Sequence, residues 1–235
     1  MKPFERSNEP AETDWDAKRR EMVARQIRAR GIHCERVLAA MAEVPRHLFV
    51  PASLAGDAYS DSPLPIGEGQ TISQPYIVAA IAEALSLQGH ECVLEIGAGC
   101  GYLAAVLSLL AQKVIAIEAQ AGLASIAREK LRQLGYGNVE IIEGDGSAGW
   151  PEGAPYEAIA VSAAAPRVPV PLLEQLGRDG RLVIPVGRRE SQELLRIVRT
   201  GSGFRTEAIC DCRFVPLLGH YGWSEGSSPE GQPNP

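Results

Sequence analysis

The sequence predicts an α/β protein on a doubly wound, mostly parallel sheet, and three observations carry that prediction. From Pro75 onward, short apolar runs alternate with helical patterns. One run, Val93-Leu94-Glu95-Ile96, passes straight into Gly97-Ala98-Gly99-Cys100-Gly101 and then into a helical pattern. Further on, two strand-like runs meet at Thr200-Gly201-Ser202-Gly203, a hairpin signal. The sum is a parallel sheet covered on both faces, with an antiparallel hairpin at one edge and an N-terminal helical and loop addition.

Residues 1–15 are polar, contain Pro and Glu, and lack hydrophobic periodicity; residues 224–235 (SEGSSPEGQPNP) are similar. Both read as disordered ends. Residues 16–30 form a first helix, with Met22, Val23 and Ile27 on one side and Arg19, Arg20, Arg25, Arg28 and Arg30 on a solvated face. A second helix, Glu35–Glu43, stops before Pro45. Residues 58–74 (AYSDSPLPIGEGQTISQ) hold too many Pro and Gly for regular structure, and a loop that long in a compact domain is usually functional. Residues 16–223 thus make one domain, with 16–74 as the addition and 75–223 as the core.

The core reads as helix 75–87, strand Cys92–Ile96, helix 102–110, strand Lys113–Glu118, helix 123–134, strand Val139–Glu143, strand 158–162, helix 171–176 and strand 181–186. Helix 123–134 shows its period best: Leu123, Ile126, Ala127, Leu131 and Leu134 share a face, and Gly135 is the C-terminal cap. Strands 193–199 and 206–215 complete the hairpin.

With 29 acidic against 23 basic residues and a net charge of −6, the chain lacks the broad basic footprint of a nucleic-acid binder. The longest apolar stretch, 103–111, is broken by Ser108 and falls short of the roughly 20 residues of a membrane span. The acidic N-terminus carries no apolar signal core. A cytoplasmic protein without membrane or nucleic-acid partners follows, read as a monomer. The five cysteines (Cys34, Cys92, Cys100, Cys210 and Cys212) are odd in number and scattered, so they read as reduced structural thiols; no metal site is expected.

In such a sheet, ligands bind beyond the carboxyl ends of the strands, where the strand order reverses. The glycine turn lets the chain bend sharply and a ligand approach the backbone. Two acids give it context. Glu118 ends the next strand, where a carboxylate can accept both hydroxyl hydrogens of a ribose; its plainer reading is a helix cap or surface acid. Asp145 follows the third strand, where it can accept from an adenine amino group; its plainer reading is a turn residue. Together they outline a nucleoside site. The spacing Gly97-x-Gly99-x-Gly101 departs from the Gly-x-Gly-x-x-Gly dinucleotide pattern. It favours a ligand with no pyrophosphate to cradle, and so S-adenosylmethionine over NAD.

Several stretches resemble the protein-L-isoaspartate O-methyltransferase family: Asp61-Ser62-Pro63-Leu64-Pro65-Ile66-Gly67, Gly69-Gln70-Thr71-Ile72-Ser73-Gln74-Pro75-Tyr76, the glycine turn with its strand, Gly144-Asp145-Gly146, Ala163-Ala164-Ala165-Pro166, Gly180-Arg181-Leu182-Val183-Ile184-Pro185-Val186-Gly187 and Arg213-Phe214-Val215-Pro216-Leu217. The likeness covers about residues 18–223 in order, and the Thr71-Ile72-Ser73 and 213–217 segments are its most restricted parts. It implies a Rossmann-like, class I S-adenosylmethionine-dependent methyltransferase that acts on the carboxylate of L-isoaspartyl residues in damaged proteins and peptides. It further implies Ser73 as the active-site residue with Ile72 beside it on the substrate, and Glu95, Gly97, Ala98, Gly99, Gly101, Glu118, Asp145, Gly146 and Thr71 around the cofactor.

Read alone, Ser73 is an N-cap of the helix opening at Gln74-Pro75. With the long loop and the family likeness, its hydroxyl and nearby N–H groups are expected to hold a carboxylate at the positive end of that helix. A carboxylate with an ordinary pKa of about 4 is ionised at neutral pH and attacks without a general base. The absence of a Ser/His/Asp set fits this chemistry. The ester would let the neighbouring backbone nitrogen close a succinimide, which hydrolyses in part to normal aspartate. The substrate groove is expected between segments 59–74 and 214–223.

Two residues depart from the family pattern. Cys100 stands where serine or threonine is usual, and Ser162 where threonine is common; both are small. Among rivals with another acceptor, an amino-group methylase is disfavoured because its acid-Pro-Pro-aromatic motif is missing after the fourth strand, where the chain reads Ser162-Ala163-Ala164-Ala165-Pro166, and no catalytic Cys-Pro pair suggests cytosine methylation. An adaptor without turnover is disfavoured by intact Gly97, Gly99, Glu118, Asp145 and Ser73, and a NAD oxidoreductase by the glycine spacing.

Overall fold

The computed structural model describes residues 12–224; the ends expected to be disordered otherwise lie outside the described residues. Residues 12–15 are not part of an irregular end. They open helix α1 (Glu12–Met22), where Trp15 stacks on His47 with ring centroids 4.5 Å apart. The single helix expected over 16–30 is broken into α1, a π-helical turn Val23–Ile27 and a 3-10 turn Arg28–Arg30 that ends at Gly31 with φ 97°. The arginine face is not wholly solvated either. Arg19 donates to the Tyr59 hydroxyl at 3.4 Å and Arg30 pairs with Asp61 at 2.6 Å, so both fasten the following loop.

Helix α2 (Glu35–Glu43) matches its expected range. The loop 58–74 contains a small antiparallel hairpin, β1 (Leu64–Gly67) and β2 (Gln70–Ile72). Its turn holds positive φ at Glu68 and Gly69, the backbone twist that tight hairpins favour. Helix α3 (Pro75–Leu85) ends two residues early, at Ser86 with φ 51°.

The core is a seven-stranded sheet ordered β5-β4-β3-β6-β7-β8-β9, with β3 (Cys92–Ile96), β4 (Lys113–Glu118), β5 (Val139–Glu143), β6 (Tyr156–Val161), β7 (Leu176–Arg188), β8 (Ser191–Thr200) and β9 (Gly203–Cys212). The first five in space run parallel, and β8 and β9 add antiparallel at one edge. Successive residues of a strand face opposite sides. Val93, Val114, Ala116, Ala158, Ala160 and Val183 join α2, α3, α4 (Tyr102–Ser108) and α5 (Ala121–Gln133) in one core. Leu94, Ile96, Ile115, Ile117, Ile159 and Leu182 face a second core with Leu172 of the short helix α6 (Val170–Glu174) and Leu217. Burial on both faces explains the unbroken apolar runs.

In α5 the buried face is Leu123, Ala124, Ala127 and Leu131, while Ile126 is 56% exposed. At about 100° per residue, Ile126 falls roughly 110° from the centre of that stripe. Gly135 caps the helix as expected, with φ 84°. Among the described residues, no helix is long and apolar enough to cross a membrane, and all five cysteines are free thiols.

Candidate active site

Strands β3 and β6 lie side by side, yet the chain leaves them toward opposite edges of the sheet. A cleft opens beyond their carboxyl ends. Ile96, Gly97 and Gly99 of the β3 turn form part of its lining, with Glu118 to Gln120 after β4 and Gly146 after β5. Gln70 and Thr71 of β2 and residues 215–218 of the C-terminal segment supply further walls. A wider groove, lined by Pro151, Pro155, Pro171, Glu174 and Tyr221, holds neither the glycine turn nor the motif acids. The narrower cleft is the candidate site.

The glycine turn is built as its spacing suggests, with φ of 86°, 54° and 84° at Gly97, Gly99 and Gly101. Side chains would be strained at all three positions. Most of its N–H groups are already used. Gly97 and Ala98 donate to the Ile117 carbonyl, Gly101 to Ala98, and Gly99 to Glu118 Oε2 at 2.7 Å. Such a turn has few donors left for a pyrophosphate, which agrees with the reading drawn from its spacing.

Glu118 is buried at the end of β4. Its second oxygen accepts from the Gln120 N–H at 2.9 Å. Two fixed N–H donors orient the carboxylate and leave a lone pair on each oxygen for a ligand's hydroxyls. Asp145 is differently engaged. Its Oδ1 accepts from Ser147 N at 2.8 Å and its Oδ2 from His220 N at 2.9 Å, while Ser147 Oγ accepts from Tyr221 N at 3.0 Å. Burial works to raise the Asp145 carboxyl, but these N–H groups outweigh it and hold the group below the usual carboxylate range. Asp145 thus sits in the turn after β5 and pins the C-terminal segment, and it is not among the residues that line the cleft.

Glu95 lies in the centre of the sheet, fully buried, with no hydrogen-bond partner on either carboxylate oxygen. Burial, aided by the nearby Glu118 charge, pushes its carboxyl well above the ordinary value. Glu95, Ala98 and Gly101 do not line the cleft; Gly101 is the N-cap of α4 and faces Leu131. The Cys100 thiol is buried in the turn and pushed up to about 11, so it is a packed, unreactive thiol.

On the opposite wall, Thr71 faces the cleft, but Ile72 turns its side chain into the first core, so that side chain offers no substrate contact. Ser73 follows, half-buried, between β2 and α3. It is not the helix cap: Gln74 occupies that position, without a side-chain capping bond, and Pro75 is the first helical residue. Segments 59–74 and 214–223, between which a substrate groove is expected, contribute Gln70, Thr71 and residues 215–218 to the cleft of the glycine turn, and Ser73 is not among its lining residues.

A family model described as protein-L-isoaspartate(D-aspartate) O-methyltransferase matches residues 17–222. The chain belongs to that family. This methyltransferase is 57% identical over 217 residues to the protein-L-isoaspartate O-methyltransferase of Roseiflexus castenholzii, covering 92% of this chain and 99% of the relative. It is 54% identical over 211 residues to that of Methanoculleus marisnigri, covering 90% and 96%. A solved protein-L-isoaspartate O-methyltransferase superposes with a TM-score of 0.77 at 29% identity, over 86% of this chain and 67% of that one. A Plasmodium falciparum beta-aspartate methyltransferase, solved in complex with S-adenosyl-L-homocysteine, shares the fold at a TM-score of 0.74 and 24% identity, over 85% and 98%. The class I methyltransferase fold expected from the sequence is the fold of this chain.

For this methyltransferase, sequence reasoning missed Ile117, Ala119 and Gln120 in the cleft. Their signal was available, because they flank Glu118 at the carboxyl end of a parallel strand. It also missed Arg46. That guanidinium is fully buried, with Nε donating to Ala58 O at 2.7 Å and the head 4.9 Å from the Tyr102 ring. Nothing local in Pro45-Arg46-His47 marks it as buried.

Proposed function

We propose that this chain transfers the methyl group of S-adenosylmethionine to the free carboxylate of L-isoaspartyl residues in damaged proteins and peptides. The product ester then favours succinimide closure and partial return to aspartate. One observation carries the reading: a single cleft joins Gly97, Gly99 and Glu118 on one side to Thr71 on the other, two residues before Ser73. The residues fit the cofactor. Glu118 lines the cleft and presents an oriented carboxylate suited to a ribose.

S-adenosylmethionine supplies an electrophilic methyl group on a positively charged sulfur. The chain's task is alignment and exclusion of water, because the acceptor carboxylate is already ionised. Ser73 donates its hydroxyl to that carboxylate, and the first turn of α3 adds the positive end of its dipole. A hydroxyl suits this role better than a guanidinium. Charge is neutralised as the new bond forms, so a strong cation on the oxygen would hold the ground state more tightly than the transition state. Thr71, Gly97, Gly99 and Gly146 line the cofactor side, Ala98 and Gly101 act on it by holding the turn, Asp145 acts by pinning the C-terminal segment that walls the cleft, and Ile72 contributes through its backbone. The same reading makes the protein a cytoplasmic monomer whose partners are proteins rather than nucleic acids or membranes, and its net charge of −6 weighs against nucleic acid.

Ser73→Ala tests the substrate side. A hydrogen bond to a charged group is worth about 1.5–3 kcal/mol, so kcat on an isoaspartyl peptide should fall tenfold or more. Affinity for S-adenosylhomocysteine should stay within about twofold. Undiminished turnover, or loss of cofactor affinity instead, would overturn the role given to Ser73.

A further inference from the structure

Arg30, the last residue of the N-terminal arm before Gly31, reaches the region around Ser73. Its Nη1 lies 2.6 Å from Asp61 Oδ2. Its guanidinium sits 3.6 Å from the centroid of the Tyr76 ring, in the first turn of α3. The same Asp61 oxygen accepts from Gln74 Nε2 at 3.2 Å. Gln74 immediately follows Ser73 in the chain and Tyr76 lies three residues beyond it, so Arg30 and Asp61 contact residues on the α3 side of Ser73.

This arrangement poses an electrostatic problem and solves it. The Asp61 side chain is 30% exposed and lies no more than about 12 Å from the Ser73 Cα, given its hydrogen bond to the side chain of the adjoining Gln74. An unpaired acid there would repel an incoming carboxylate over a distance comparable to the Debye length of about 8 Å. Arg30 cancels that charge at hydrogen-bond distance. Stacking on Tyr76 holds the guanidinium in place, a geometry that a planar cation adopts readily.

We propose that Arg30 is a positioning residue for the acceptor: it neutralises Asp61 and keeps that acid turned onto Gln74, so that an isoaspartyl carboxylate reaches Ser73 without repulsion. The inference rests on the substrate-side reading of Ser73. It makes the N-terminal arm part of substrate selection, although the arm lies outside the cofactor cleft.

The test is the KM for an isoaspartyl peptide at about 0.05 M and about 0.5 M salt. Arg30→Gln should raise KM about fivefold at low salt and less than about twofold at high salt, with kcat and S-adenosylhomocysteine affinity within about twofold of wild type. Arg30→Lys, which keeps the charge, should stay within about twofold. Adding Asp61→Asn to Arg30→Gln should restore KM, because asparagine still accepts from Gln74 without carrying charge. An unchanged KM in Arg30→Gln, a salt-independent rise, or a double variant worse than the single would overturn the proposal. Ser73→Ala, measured alongside, separates the two readings. If it is inactive on peptide while Arg30→Gln is normal, only the Arg30 role fails. If Ser73→Ala is fully active, the Ser73 reading fails.

Discussion

Glu95 and Glu118 occupy neighbouring strands, yet their surroundings differ sharply. Glu118 has a backbone N–H on each oxygen, whereas Glu95 has none. Burial therefore raises the Glu95 carboxyl, and a folded state that binds its proton more tightly than the unfolded chain loses stability as pH rises. The loss begins near the unfolded value of about 4.3 and continues toward the raised folded value. Glu95→Gln should accordingly raise the melting temperature of the ligand-free protein at pH 7 by about 2–4 °C, the equivalent of about 1 kcal/mol in a chain of this size. The gain should vanish near pH 4, and a gain independent of pH would contradict this account. Glu118→Ala should act on the ligand instead. It removes the acceptors for two ribose hydroxyls and should weaken S-adenosylhomocysteine binding at least tenfold by calorimetry; unchanged affinity would exclude the ribose contact. Glu118 was legible in the sequence because its place at a strand end follows from local pattern. The burial of Arg46 was not, because it depends on Ala58 and Tyr102, which only the fold brings together.

Among the elements, the C-terminal segment departs most from its sequence pattern. Strand β9 stops at Cys212, and residues 213–223 then cross the sheet ends, where Ala164 pairs with Pro216 and the Trp223 indole donates to Ala164 O at 3.0 Å. Asp145 and Ser147 hold its far end, and a side chain at Gly219 would run into the Asp145 carboxylate. The depressed Asp145 pKa fixes the sign of the pH effect. Its contribution is complete above the ordinary carboxylate value of about 3.9 and is lost as pH falls through the lower folded value. Amide protection at His220 and Tyr221 should drop over that window. In Asp145→Asn it should already be low at neutral pH, and full protection in that variant would refute the latch. The β1–β2 hairpin escaped sequence reading because Pro and Gly dominate its composition. Here those residues sit in a short two-stranded ribbon, Pro65 opposite Thr71 and Gly69 in the turn, instead of excluding one.

At the scale of the molecule, the parallel order was readable from the alternation of apolar runs and helices, and the edge hairpin from Thr200-Gly201-Ser202-Gly203, where Thr200 pairs with Gly203. Element ends were less readable. Strand β7 runs over 13 residues where 181–186 was expected, because its first residues pair through Leu176 with Tyr156 across an irregular register. The sheet places the glycine turn, Glu118 and the 215–218 segment around one cleft, and the N-terminal addition brings Gln70 and Thr71 to its other side, with Ser73 two residues further along the chain. The proposed function assigns the glycine-turn side of this cleft to the cofactor and the Ser73 side to the acceptor. Its most direct test uses methyl-labelled S-adenosylmethionine and two peptides identical except for an isoaspartyl or a normal aspartyl residue. Base-labile label on the isoaspartyl peptide alone is the predicted result. Equal labelling of both peptides, or of neither with S-adenosylhomocysteine bound, would contradict it.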